Sequence, residues 1–429
     1  MRFHLKKIFE FLHNTETAKQ FKIGKKSFTR ERSLPFPTVV TSILHLFKES
    51  VEYNLLSDKL KKIISGESSS AAFSKARYKV KCKFFKRLCS MTFSSYLRMS
   101  CKKRWKGFLV LGIDGSTSNL PSSKSIKSYF GVYATNKHGV NRYTARILMV
   151  YDVLNKFVLS ARLSKMCFGE SRLMSDCIKE LAGKLSRYIY VMDRNFDSFS
   201  TIKSVLNMNA KTDLCIRLSS RPGFYKRVLA DPSQDFITSW EPSPKEKRSC
   251  KSKEISSEPI QVRVTKVVLS TGEIEILIST LLDQRKYTRS DIATLYSLRW
   301  GIEEGFKNLK PKMKLEYYGC KKPAGVYQEF YAHIFMMNLV ALHGMIASLD
   351  IEEGNKTKKY DYAYNWKNSY RFVRESIIDY LFFSRKIKAN LEKIIQKITH
   401  SLVAIIPGRK FVRDMRWNEV KTRITSYNK

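Results

Sequence analysis

The chain has 429 residues, 43% of them hydrophobic and 12% aromatic, which supplies a substantial core and excludes a disordered tail. Lys and Arg number 79 against 38 Asp and Glu, a formal net charge of +41. A surface that positive repels itself unless a polyanion neutralises it, so nucleic acid is the first partner class and an anionic membrane the second.

Eight cysteines are scattered with no CxxC pair and no matching His cluster, which argues against a zinc finger or a disulfide framework and suits a reducing compartment. The opening MRFHLKKIFEFLHN is interrupted by Glu10 and His13 before an apolar stretch develops, so it does not read as a signal peptide. The expectation is a cytoplasmic, nucleoid-associated protein with no membrane partner.

Residues 1–106 read as short helices separated at Pro35, Pro37 and the turn after Gly66. No acidic residue occurs from Ser68 to Ile113, and Ser74 to Gly107 carries twelve Lys or Arg interleaved with Tyr78, Phe84, Phe85 and Trp105. A solvated helix face normally mixes signs, because like charges one turn apart repel, whereas an unmixed face suits phosphates. SSSAAFSKARYK is placed to enter a groove as part of a helix pair, and a basic linker with no specific grip is the bland alternative.

From Gly107 the texture changes. FLVLGID reads as a strand, RYTARILMVYDVLNKFVLSARL as two strands turning at Leu154-Asn155-Lys156, and SRLMSDCIKELAGKL as an amphipathic helix. RYIYVMD is a strand, SFSTIKSVL a helix and DLCIRL another strand. Antiparallel strands first, then strands alternating with helices, predict an α/β fold whose mixed sheet is flanked by helices. Residues 221–287 form a β-rich insertion with a hairpin around Gly272, and helical patterning resumes at Ser290. Phe330 to Leu349 is apolar enough to raise a membrane question. His333, Asn338 and His343 fall inside it, and Phe335, Leu339, Leu342 and Ile346 recur at helical spacing, so a buried core helix is predicted. The expected divisions are a helical DNA-binding region at 1–106, a core at 107–220 with 288–350, the insertion at 221–287, and a helical region at 351–429 serving dimerisation or DNA contact.

Three carboxylates carry the chemistry. Asp114 ends the first core strand in IDGS, and Asp193 ends a later one in DRNF. Functional groups gather at strand ends in α/β sheets, and a carboxylate there is costly unless something such as a hard divalent cation takes its charge. Singly each Asp is weak evidence, since Asp also starts turns, and Asp152 and Asp197 are similar candidates. In DIATLYSLRWGIEEGFKNLK at 291–310, a helix puts Tyr296, Arg299, Glu303, Lys307 and Lys310 on one face and Glu304 off it. That face offers one carboxylate for metal beside a phenol and cations for phosphate oxygens. An ordinary surface helix with ion pairs is the alternative, and it loses beside two strand-end aspartates and the charge of +41.

These residues resemble the DDE transposases of bacterial insertion sequences, in the group marked by Tyr-x2-Arg-x3-Glu-x6-Lys (YREK). Tyr296, Arg299, Glu303 and Lys310 match all four positions; IDGS resembles the first Asp block, and DRNF the second, with Asn195 where Gly is usual. FSKAR at 73–77 resembles a segment preceding the catalytic domain, and the resemblance runs from about Ser68 to Val340. It implies a ribonuclease-H-like core with Asp114, Asp193 and Glu303 as catalytic and metal-binding triad. It further implies two Mg²⁺ per site with Mn²⁺ as substitute, terminal inverted repeats and target duplex DNA as partners, and a homodimer in the synaptic complex. Trp240, in the insertion, is a candidate for stacking on an unpaired base, the bland reading being a structural Trp. A catalytically inactive, transposase-derived DNA-binding protein and a basic RNA-associated protein are the rival readings.

Overall fold

A computed structural model describes residues 1–29, 33–45, 51–66, 68–135, 139–208, 212–221, 223–269 and 271–406. The expected C-terminal region is therefore seen only as far as 406, and its basic tail lies outside the described residues.

Eight segments make one sheet: β1 (Leu109–Asn119), β2 (Thr144–Asp152), β3 (Phe157–Lys165), β4 (Tyr188–Met192), β5 (Thr212–Arg217), β6 (Asp235–Trp240), β7 (Ile260–Val268) and β8 (Ile274–Ser279). Their order is β3-β2-β1-β4-β5-β8-β7-β6. β1, β4 and β5 run parallel, while β8, β7 and β6 continue antiparallel from β5. Strands buried on both faces become continuous apolar runs, which is why Leu109–Ile113 and Tyr188–Met192 have no polar alternation. Parallel neighbours need crossovers, supplied by the helices Glu170–Leu181 and Phe199–Met208. The predicted mixed sheet flanked by helices is thus observed, and the 3-2-1-4-5 order of its first five strands is consistent with a ribonuclease-H-like core. The strands of the β-rich segment do not build a separate sheet; they extend this one from β5 outward.

The chain divides into two compact units. The first comprises residues 1–102, 117–145 and 307–429, and the second 103–116 and 146–306. The first is mainly helical. Its centre is the helix Pro323–Asn355, packed against Lys83–Arg98, Trp366–Phe382 and Ile387–His400. By length and composition this helix could cross a membrane, but 78% of its apolar window is buried in protein. The polar residues inside it have partners: His343 contacts Leu339 O and the Tyr380 hydroxyl at 2.7 and 2.9 Å, and the Asn338 amide donates to Thr92 Oγ1. The predicted core helix is what the fold contains.

The basic segment at 74–107 is partly a core element. Phe73, Phe84 and Phe85 are fully buried, as is Arg77. Arg77 donates to Glu329 Oε1 at 2.8 Å, to Gln328 Oε1 at 3.3 Å and to Gly319 O at 3.1 Å. Gln328 in turn donates to the carbonyls of Arg77 and Val80. The FSKAR segment therefore fastens the N-terminal helices to the central helix, and Arg77 is not available to phosphate. Removing one partner of a buried pair strands the other charge, so Glu329→Ala is expected to lower unfolding stability by about 3–5 kcal/mol. Urea titration of the two chains measures it, and a loss below about 1 kcal/mol would contradict the assignment.

Candidate active site

All three sequence-predicted carboxylates belong to the second unit. Ile113 of β1 pairs with Met192 of β4. Asp114 does not end its strand as expected, because β1 runs on to Asn119, whereas Asp193 directly follows β4; the two residues still stand at the same level of neighbouring parallel strands, which run about 4.8 Å apart. Each carboxylate accepts the next backbone N–H: Asp114 Oδ1 from Gly115 at 2.8 Å and Asp193 Oδ1 from Arg194 at 2.7 Å. Asp193 caps a short 3₁₀ turn, Arg194–Phe196. Asn195 lies inside that turn with a negative φ, so the position does not demand glycine or a left-handed residue.

The segment expected as one helix is broken. Arg289–Ser297 ends at Leu298, Trp300–Lys307 follows, and Asn308–Lys312 winds as a π-helix containing Pro311. Tightened bonds, from Gly301 N–H to Leu298 O and from Ile302 N–H to Arg299 O, join the first two pieces. Proline cannot donate the interior hydrogen bond, which accounts for the wider turn at the end. Trp300–Lys307 lies close on β1 and β2 through glycines. A Cβ on Gly112 would meet Ile302 Cβ at 3.2 Å, one on Gly301 would meet Val153 Cβ at 2.8 Å, and one on Gly305 would meet the Tyr151 ring at 3.1 Å. This packing seats the helix that carries Glu303 on the sheet.

Arg299 is the electrostatic hub. Its Nη2 is 3.5 Å from Glu303 Oε1, and its guanidinium lies 5.7 and 5.0 Å from the rings of Tyr296 and Trp300. Burial disfavours its charge, but Tyr296, Asp193, Glu303 and Asp114 together raise its pKa above the ordinary value. Its Nε is buried without a hydrogen-bond partner. Tyr296 is itself buried, and burial, with Asp193 and Glu275 nearby, raises its phenol. Lys310 falls in the first unit, where it is 4.0 Å from Glu316, and Lys307 is exposed at the end of its helix.

Three residues escaped the sequence reading. The Glu170 carboxyl sits against Gly115, where a Cβ would come within 2.5 Å of it. Glu275, on β8, is bridged to Arg217 at 3.0 Å, and its carboxyl is raised by burial and by Glu273 and Asp193, against the pull of Arg217 and Arg299. Trp300 is 52% exposed beside Arg299. The glycine after Asp114 was the one sequence signal of Glu170, and it could not name its partner. Trp240 is only 2% exposed, stacked on Phe224 at 4.6 Å and edge-on to Phe199, so no face of its ring is open to a base. Asp152 and Asp197 are structural: Asp152 accepts from Leu154, Asn155 and the Asn155 amide, and Asp197 accepts from Ser219 N–H at 2.6 Å.

Burial pushes the Asp114 carboxyl up to about 6; the Gly115 N–H and Arg299 oppose the rise, and the carboxylates of Asp193 and Glu170 add to it. Hard carboxylate oxygens and mutual repulsion of this kind fit a divalent cation. In the conformation described, no three His, Cys, Asp or Glu side chains among the described residues form a ready coordinating group. The fit therefore rests on donor chemistry and shared charge, and holding an ion requires the side chains to close. Because folded Asp114 holds its proton more tightly than an unfolded Asp, the stability it contributes is present below about 3.9 and is lost as pH rises through about 6. With chelator present, Asp114→Asn is expected to melt above the unsubstituted chain at pH 7.5 and to lose that margin toward pH 4. A margin that does not change with pH would contradict the burial of this charge.

A family model described as the transposase DDE domain matches residues 105–339. No curated protein matches. Among solved structures, a chain of a cryo-EM piggyBac transposase synaptic complex with hairpin DNA is similar over 95% of this chain and 87% of that one, at 13% identity and a TM-score of 0.47. With the family match spanning more than half of its 429 residues, the chain belongs to the transposase DDE domain family.

Proposed function

We propose that this transposase is of the YREK type of bacterial insertion sequences. On this reading it binds the terminal inverted repeats of its element and performs Mg²⁺-dependent strand cleavage and strand transfer. Asp114, Asp193 and Glu303 would hold two Mg²⁺, with Mn²⁺ as substitute. The observation that supports this most is the register of β1 with β4, which sends Asp114 and Asp193 from the same level, together with the single guanidinium that interacts with both and with Glu303. When bound, the ions supply the positive charge that activates the attacking oxygen and stabilises the leaving 3′ oxygen.

The chain's own residues orient the substrate. Arg299, buried yet fully charged and with an N–H lacking a partner, presents a donor fork to phosphate oxygens. Tyr296 stays protonated at any physiological pH and acts as a donor, not a base. Lys310, the signature lysine, and Lys307 from the same helical face contact phosphate on this reading. In this scheme residues 1–106 bind DNA, 107–220 with 288–350 form the catalytic core, 221–287 are the insertion, and the protein works as a homodimer on cytoplasmic, nucleoid DNA. Incubation with a fragment carrying the element's own ends should yield nicked and joined products with Mg²⁺ and none with EDTA. Binding without cutting under every divalent-ion condition would instead establish an inactive DNA-binding descendant.

A further inference from the structure

Within the first unit, the helices Asp58–Lys61, Trp366–Phe382 and Ile387–His400 line a cleft of about 150 Å³. That is the volume of roughly five waters, counting about 30 Å³ for each. Four lysines from two segments of the chain line it, Lys59, Lys62, Lys393 and Lys397; Lys59 Nζ donates to Glu375 O at 3.3 Å, and Lys397 Nζ lies 5.6 Å from the centre of the Phe372 ring. Two carboxylates answer them, Glu375 at 3.8 Å from Lys59, and Asp379. Lys393 and Lys397 stand one helical turn apart, a like-charge arrangement that costs an isolated helix a few tenths of a kcal/mol. The Asn390 amide nitrogen, also at the cleft, is buried without a hydrogen-bond partner. Buried donors normally find an acceptor. Burial, assisted by Arg374 and Lys62, holds Lys59 below the ordinary lysine value despite Glu375 and Asp379, as expected where cations are crowded.

Surplus ammonium charge, an unanswered amide donor and room for a small oxyanion define a phosphate seat. We propose that this cleft takes a backbone phosphate of duplex DNA, an inference that rests on the reading of the chain as DNA-binding. A phosphodiester projecting from a duplex can enter such a recess, with Lys62, Lys393 and Lys397 neutralising it and Asn390 donating to it. The contact carries no sequence information; it fixes where the duplex lies. It gives residues 366–400 a DNA-gripping role.

The test uses the full chain and two triple variants. One is Lys62→Gln/Lys393→Gln/Lys397→Gln; the control, Lys356→Gln/Lys358→Gln/Lys359→Gln, removes three exposed lysines that lie outside residues 1–106 and outside the cleft. Duplex binding is followed by fluorescence anisotropy across a salt series. The cleft variant is expected to bind about three- to tenfold more weakly, with its log K against log salt slope reduced by about 1–2, near 0.9 for each phosphate no longer neutralised. The control should move neither quantity by more than half as much. Inorganic pyrophosphate should raise the melting temperature of the unsubstituted chain, and this shift should vanish in the cleft variant and in Asn390→Asp. Equal behaviour of the two triples in both measurements would overturn the proposal. An unsubstituted chain that binds duplex but never cuts it would sink only the catalytic reading, leaving this one to its own assay.

Discussion

Glu303→Gln is expected to abolish Mg²⁺-dependent strand cleavage while leaving duplex affinity within about twofold. The substitution keeps the volume and a hydrogen-bonding group but removes the charge that would hold an ion. Metal stabilisation of the developing charge in phosphoryl transfer is worth several kcal/mol, so the rate should fall on the order of a thousandfold or more. The alternative account of Glu303 is an i,i+4 ion pair with Arg299, 3.5 Å away, on a partly exposed helix. Such a pair contributes only about 0.3–0.5 kcal/mol, and its loss would barely register in a cutting assay. The two accounts differ by several powers of ten, and a gel of the cleavage products separates them. Full activity in Glu303→Gln would remove the residue from the site.

Gly301→Ala should cost far more activity than stability. Its new Cβ would stand 2.8 Å from Val153 Cβ and 3.5 Å from Val153 Cα, so the helix must lift from the sheet. Overpacking of this kind costs about 1–3 kcal/mol, while alanine in a helix interior returns about 1 kcal/mol relative to glycine. The net change in melting behaviour is therefore small. On the proposed triad, lifting the helix would misplace Glu303, and a misplacement of about 1 Å can cost a hundredfold in rate. Gly354→Ala is the matched control, because a Cβ there meets nothing nearer than Lys358 Nζ at 3.9 Å. It should keep full cleavage. A Gly301→Ala chain as active as the control would show that the close approach does not position the acid.

One strand end was legible, because the buried run Tyr188–Met192 stops at Asp193; the other was not, since β1 continues past Asp114 to Asn119 and only its apolar run stops at the charge. The core helix at 323–355 was legible from the spacing of Phe335, Leu339 and Leu342. Pairing partners were not. Nothing in IDGS says that Glu170 will lie against Gly115, since that contact is made by a residue fifty-five positions later whose helix packs on another strand. Charge pattern also misled where burial decided the outcome. Arg77 looked like one cation in a basic run, yet it is an interior residue because Glu329, Gln328 and the Gly319 carbonyl, some 250 positions away, accept its hydrogen bonds. Trp240 is enclosed as well, against Phe224 and Phe199. The periodicity of 291–310 gave the wrong continuity, because helical spacing is blind to the tightened turn at Leu298–Arg299 and to the π-helix at Pro311.

The most direct test of the metal triad is anomalous diffraction from crystals of the full chain grown with Mn²⁺ and a cleaved DNA end. Two anomalous peaks about 3.5–4 Å apart, ligated by oxygens of Asp114, Asp193 and Glu303, are the expected result. Manganese bound elsewhere, or peaks ligated by the two aspartates with the Glu303 side chain turned to solvent, would contradict it.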